Sequence, residues 1–208
     1  MKKIVVISDT HKSEYELTLP KGDILIHCGD FGIDSLADLC YAQRWFEKQP
    51  FKHKIFVAGN HETYLEHLPK ENIKKILYGV HYLQEDTIEI EGLKFYGSPY
   101  TPMFNNWAFM LERRSPELAE KWSKIPENLD FLITHGCPYQ ILDQSERGEN
   151  CGCEILQREV FKKNPKYHVF GHIHHSYGHK KVENTIFTNC SVLDDNYDLR
   201  NSATIIEN

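Results

Sequence analysis

Five short, β-branched apolar runs in this chain each break off into residues of metal-binding type. IVVIS (4–8) leads into DTH, DILIH (23–27) into CGD, KIFVA (54–58) into GNH, FLIT (131–134) into HG, and YHVF (167–170) into GHIH. Runs this short and this rich in Val and Ile read as strands covered on both faces. Helical candidates lie between them. Ser35 opens SLADLCYAQRWFEK, where Leu36, Leu39, Trp45 and Phe46 offer one apolar face. Ser115 and Pro116 form an N-cap and first-turn pair ahead of ELAEKWSKI, and CGCEILQREVFKK reads as a helix ending before Pro165. This alternation predicts an α/β core. Over 81–97, HYLQ, DTIEIE and LKFYG alternate around Glu91-Gly92 and predict a meander with a tight hairpin. TIFTNCSV and ATIIE supply further strands, so a mixed α/β architecture with two sheets is expected. No repeat, low-complexity block or linker divides the chain, and 1–208 is expected to be one domain.

With 208 residues, 40% of them hydrophobic and 26% charged, the chain can bury a substantial core, and its net charge of -6 offers no broad surface for nucleic acid or anionic membrane. Positive charge for a phosphate must therefore come from a bound metal or a few side chains. No apolar run reaches membrane-spanning length, and MKKIVVIS has only four apolar residues before Ser8, too few for a signal-peptide core. The six cysteines contain no CxxC pair, which argues against a zinc ribbon. A reduced, cytosolic protein is the expectation.

In open α/β sheets, ligands gather beyond the carboxyl ends of strands. The five runs deliver to that place Asp9 and His11, then Asp30, then Asn60 and His61, then His135, then His172 and His174. Any one fragment is ordinary, a turn or an N-cap or a surface histidine. Five in succession are not. Mixed carboxylate, imidazole and amide donors suit manganese, iron or zinc. A two-metal site also needs a bridging carboxylate, and Asp30, on a middle strand, is the natural candidate. Two divalent ions bring about four positive charges, of which ionised Asp9 and Asp30 cancel about two, leaving a net attraction for phosphate. Metals roughly 3.5–4 Å apart can hold a bridging water, lower its pKa and stabilise in-line attack on phosphorus. His172 and His174 alternate on what reads as an extended segment, which would turn both imidazoles into one pocket and Ile173 away. His27, His53, His67, His81, His168, His175 and His179 fall outside the pattern and are expected to be structural or on the surface, as are Ser8, Thr10 and Thr134.

The ordered set DTH (9–11), GD (29–30), GNHE (59–62), THG (134–136) and GHIH (171–174) resembles that of the calcineurin-like metallophosphoesterases, across most of the chain. The resemblance implies a four-layer αββα sandwich of two mixed sheets, with two metals at the carboxyl edge. By position, Asp9, His11, Asp30 and His174 would hold one metal, and Asp30, Asn60, His135 and His172 the other. Asn60 would also position the scissile group. His61 would contact the phosphate and protonate the leaving oxygen. GDFGIDSL lacks the arginine of the superfamily's protein phosphatases, and Asp34 is one residue out of place for an aspartate that orients His61.

ISDTH, GDILIHCGDF, HKIFVAGNHE, the block 79–109 and HVFGHIHHSYG resemble the small MPPED-type metallophosphodiesterases, with Cys137 at the pocket rim where a proline is usual. That likeness implies hydrolysis of small, nucleotide-like phosphodiesters, cyclic nucleotides included, by a metal-bridging hydroxide, with manganese active. SPYTPMFNNWAF is where a base could stack, or where Phe104, Trp107 and Phe109 pack core or a dimer face. Three alternatives stay open: a phosphomonoesterase or phosphoprotein phosphatase, a nucleotide-binding regulator with little catalysis, and a single structural zinc.

Overall fold

In the computed structural model, which describes residues 1–208, the apolar runs are strands and the segments between them carry the helices. The chain runs β1 (Lys3–Ile7), β2 (Ile24–His27), α1 (Leu36–Lys48), β3 (His53–Phe56), α2 (Thr63–Glu66), α3 (Lys70–Ile76) and β4 (His81–Tyr82). It continues β5 (Asp86–Ile90), β6 (Leu93–Ser98), β7 (Thr101–Pro102), β8 (Met110–Leu111), α4 (Pro116–Ser123), β9 (Phe131–Thr134) and α5 (Glu154–Lys163). β10 (Tyr167–Phe170), β11 (Gly178–Val182), β12 (Thr185–Asn189) and β13 (Thr204–Glu207) complete it. A five-stranded sheet has the order β13-β1-β2-β3-β4 and a six-stranded sheet the order β11-β12-β10-β9-β6-β5. β1 to β4 are mutually parallel, as are β12, β10, β9 and β6, and the antiparallel partners β13, β11 and β5 stand at the edges.

Alternate side chains of each central strand enter different cores. Ile4, Val6, Ile24, Ile26 and Ile55 face Phe95, Phe131, Ile133 and Val169 between the sheets. Val5, Ile7, Leu25 and Phe56 point the other way, onto Leu39 and Phe46 of α1 and Ile73 of α3. On the far side, Leu132, Phe170 and Phe187 pack on Leu118 and Trp122 of α4 and on Leu156 and Val160 of α5. The result is the expected helix–sheet–sheet–helix stack. It explains why the strands read as continuous apolar runs: neither face of a central strand meets water. Each fully buried Val, Leu, Ile or Phe contributes roughly 1.5–3 kcal/mol. No helix is long and apolar enough to cross a membrane.

The helix ends follow the sequence signals. Ser35 accepts from the Asp38 N–H at 3.2 Å, and Ser115 from Leu118 N–H at 3.1 Å with Pro116 in the first turn. Cys153 caps α5, which ends at left-handed Asn164 just before Pro165. Glu91 and Gly92, both at positive φ (51° and 82°), make the two-residue hairpin between Ile90 and Leu93. The meander expected over 81–97 is not one unit, however. β4 pairs with β3 in the first sheet, while β5 and β6 belong to the second. The crossing takes three residues: Leu83 N–H donates to Phe56 in one sheet and Glu85 N–H to Gly97 in the other. Alternating polarity marks these segments as strands but carries no information about which sheet each joins.

Candidate metal centre

Because the central strands of both sheets are parallel, their carboxyl ends meet along one edge of the sandwich. Backbone bonds tie the tips together: Asp9 N–H donates to Gly29 at 2.9 Å and Gly171 N–H to His135 at 3.0 Å. Three groups result whose ligand atoms lie within 4.8 Å of one another: Asp9, His11 and His174; His11, Asp30 and His61; and Asp30, His135 and His172. Asp30 and His11 each belong to two of them. Asn60 joins through its Oδ1, 2.9 Å from His135 Nε2. All eight residues from the five strand ends are thus brought together. Six of them line a cavity of about 780 Å³, and Asp9 and His135 are fully buried behind it.

Aromatic rings stand around the opening. Trp107 packs 4.4 Å from His61 and 5.2 Å from Phe104, and Phe104 lies 5.3 Å from His172. The three aromatics of the 98–109 stretch divide: Phe109 is core, whereas Phe104 and Trp107 remain 53% and 38% exposed. Cys137 is not at the rim; its side chain is buried in the core beneath α4 and α5. His175 and His179 are exposed, as expected, with His175 bonded to Asp195 at 2.9 Å.

The backbone at these strand ends is unusual. Asp9, His11, Asp30 and His172 have φ values of 56°, 43°, 57° and 72°. Left-handed conformations are uncommon outside glycine and cost of order 1–3 kcal/mol each, so surrounding contacts must hold them. The extended segment expected at 171–174 is therefore replaced by a sharp bend. The Asp9 carboxylate accepts the His172 N–H (3.0 and 3.1 Å), and His174 opens a short 3-10 turn. Both imidazoles still reach the centre, but Ile173 also lines the cavity instead of pointing away. Two motif glycines are needed because carboxylates press on the backbone. A Cβ at Gly59 would lie 2.3 Å from Asp30 Oδ1, and one at Gly171 would lie 2.1 Å from Asp9 Oδ2.

Comparison with known proteins follows the same residues. Positions 2–176 match the family described as calcineurin-like phosphoesterase. The chain belongs to the calcineurin-like metallophosphoesterases. The human protein named Metallophosphoesterase domain-containing protein 1 is 35% identical over 99% of this chain and 70% of its own length. A UPF0046 protein of Caenorhabditis elegans is 37% identical over 91% of this chain and 69% of its own. Among solved structures, TT1561 of Thermus thermophilus superposes with a TM-score of 0.61 at 12% identity, covering 90% of this chain and 88% of the other, a likeness of fold alone.

The surroundings of the centre in this metallophosphoesterase orient its donors. His135 Nδ1 bonds the Cys28 carbonyl and His174 Nδ1 the Asp194 carbonyl, both at 2.9 Å. Each bond fixes that nitrogen as the donor and turns Nε2 inward, to 3.3 Å from Asp30 Oδ2 and 3.6 Å from Asp9 Oδ1. Ser191 Oγ donates to Asp9 at 2.6 Å, and His61 N–H to Asp30 at 2.8 Å. Glu62, fully buried, accepts from the N–H groups of Asp30 and Gly32 at 2.8 Å and of Gly59. Its carboxylate thus ties GD to GNH. Burial and the Asp30 charge push it up to about 7. Glu62, Ser191 and Asp194 have no role in the strand-end reading, although Ser191 follows a strand and the same rule extended to TIFTNCS points to it. Asp34 does not orient His61; it accepts from Thr63 at 2.8 Å and pairs with Lys12. His27 and His168 are structural, bonded to Thr10 and Thr134 and held down at about 3 by burial.

Burial alone would raise the carboxyl pKa of Asp9 and Asp30, but His174 beside one and His135 beside the other hold both below the usual range. In return, burial opposes protonation of His135 and His174, yet the two carboxylates raise each to about 9. His172 is driven down to about 3 by burial, and burial lowers His11, whose buried Nε2 has no hydrogen-bond partner. The residues fit divalent cations: two ionised carboxylates, a neutral buried imidazole nitrogen without a partner, and further Nε2 atoms aimed at the same place. The oxygen and nitrogen mixture is that of borderline metals.

A pH dependence follows for the metal-free protein. His135 and His174 are raised above their ordinary 6.5, so their contribution to stability is complete below that value and is lost as pH rises through about 9. Asp9 and Asp30 are depressed, so theirs is present above the ordinary carboxylate range and is lost on acidification. The buried His27, His168 and His172, held at about 3, cost stability as pH falls below 6.5, so chelator-treated protein is expected to melt at highest temperature between about pH 6 and 7. Thermal unfolding at pH 6, 8 and 10 checks this; a Tm that climbs over that range would contradict the pairing.

Proposed function

We propose that this chain, acting as one domain, is a dinuclear-metal-dependent phosphodiesterase for small phosphodiesters, cyclic nucleotides among them, with manganese supporting activity. The observation that carries the reading is Asp30, shared between neighbouring donor groups at the floor of an open cavity with aromatic walls. Asp9, His11, Asp30 and His174 would hold one cation, and Asp30, Asn60, His135 and His172 the other. Bound divalent cations would supply concentrated positive charge for phosphate oxygens and lower the pKa of water at the site. Asn60 places the scissile group, and His61 donates a proton to the departing alcohol oxygen. Phe104 and Trp107 offer faces to an aromatic leaving group or base.

Charge favours a diester over a monoester. The one arginine lining the cavity, Arg113, is committed to Glu154 (2.8 Å) and to the carbonyls of Gly152 and Cys151 (2.7 and 2.9 Å). Glu149 and Asp195 line the same space. Beyond the centre, no uncommitted lysine or arginine lines the cavity to meet the second negative charge of a monoester, whereas a singly charged diester needs only the centre itself. The test compares bis-p-nitrophenyl phosphate with p-nitrophenyl phosphate in the presence of manganese, zinc, iron or magnesium. A diester preference of about tenfold or more in kcat/KM is expected, equivalent to about 1.4 kcal/mol, with activity lost on chelation. A preference for the monoester would turn the assignment to a phosphomonoesterase.

A further inference from the structure

Outside the strand-end set, the residue placed most deliberately is Tyr197, in the turn after β12. It lines the cavity, remains 54% exposed and has a φ of 62°. A bulky side chain in the left-handed region is an outlier, and such strain persists only where other contacts enforce it. Asp194 enforces it here. Its carboxylate accepts the N–H groups of Asn196 and Asp198 (2.9 and 3.0 Å), and its carbonyl accepts the Tyr197 N–H at 2.9 Å. That same carbonyl takes the His174 Nδ1 bond at 2.9 Å. One peptide oxygen therefore sets both a donor of the centre and the tyrosine above it. The Tyr197 ring stands edge-on to His11 and His174, at 4.9 and 5.2 Å, and the same His11 ring lies 4.7 Å from His61. Tyr177 uses its hydroxyl internally, on the Ser202 carbonyl at 2.9 Å; Tyr197 lines the cavity and its hydroxyl makes no such bond.

We propose that Tyr197 contacts the substrate, its hydroxyl donating a hydrogen bond to a non-bridging phosphate oxygen. The inference rests on the phosphoesterase reading and adds a binding residue to it. Phosphate would then be held by His61, next to Trp107, and by Tyr197 as well. A phenolic hydroxyl donates to a phosphate oxygen without adding charge to the site, and the bond is stronger when that oxygen is ionised. If the ring served only to cover the two imidazoles, phenylalanine would do equally well.

The experiment uses full-length, manganese-loaded Tyr197→Phe. Calorimetry should show inorganic phosphate binding weakened about 10-fold or more, the scale of a lost hydrogen bond to a charged group. Metal per chain should be unchanged, and kcat/KM on bis-p-nitrophenyl phosphate should fall by a similar factor. Phosphate binding within twofold of wild type would overturn the proposal. So would a loss of metal in the variant, because the ring and not the hydroxyl touches His11 and His174. Wild-type protein without metal-dependent turnover would count against the phosphodiesterase reading alone, since the phosphate-binding comparison still reports on Tyr197.

Discussion

Asp30→Asn is expected to reduce turnover on phosphodiesters by at least about 10³-fold, the upper range for removing one preorganised electrostatic contact, and to lower bound metal from two per chain to one or fewer. Asparagine nearly matches aspartate in volume and can still accept the His61 N–H with its amide oxygen. What disappears is the charge, together with the second oxygen that faces His135 at 3.3 Å and His11 at 3.7 Å. His135 then loses the partner that keeps it protonated without metal. The fold should survive, so the melting temperature of the chelated variant separates a lost centre from a lost structure. Atomic emission on the loaded protein supplies the count. Two metals and normal turnover in the variant would show that Asp30 bridges nothing.

His61→Ala should behave differently, keeping its metals while losing about 10²–10⁴-fold on substrates with poor leaving groups. On p-nitrophenyl esters, whose leaving oxygen needs no proton, the loss should stay within about tenfold. The geometry makes this test necessary. A ring nitrogen of His61 lies close enough to His11 and Asp30 to serve as a ligand, so position alone permits either role. Its half-buried place between His11 and the exposed Trp107 ring favours the proton donor, because a donor must reach a leaving group as it departs. Equal losses on both classes of substrate would argue against acid catalysis, and a fall in metal content would make His61 a ligand.

The floor of this centre was readable in the amino-acid sequence because two simple regularities coincide there. Strands buried on both faces appear as unbroken Val/Ile runs, and parallel strands bring their carboxyl ends to one edge. Applied to five runs, those rules gathered Asp9, His11, Asp30, Asn60, His61, His135, His172 and His174. Serine caps at positions 35 and 115 marked α1 and α4 for an equally local reason. Long-range contacts carry no such mark. Ser191 meets Asp9 across 182 positions of sequence, and Glu62 earns its place by binding three backbone N–H groups instead of by any periodicity. The bend at His172 is not legible in the sequence, because alternation of histidines says nothing about φ; an aspartate beyond the end of another strand imposes the turn. The split of 81–97 between sheets escaped for a similar reason, since strand pairing is decided by partners far along the chain.

The cavity combines a base built from the sheets with sides built from loops. Its base comes from strand tips locked into the middle of two sheets, where any shift disturbs several hydrogen-bonded neighbours. Its sides come from loops carrying Phe104 and Trp107, Glu149 and Asn150, and Tyr197, none of which belongs to either large sheet. Residues on such loops can be exchanged without reshaping the platform beneath them. Kindred proteins could therefore diverge in what they cleave while keeping how they cleave it, and a search for variants with altered appetite should begin on those three loops.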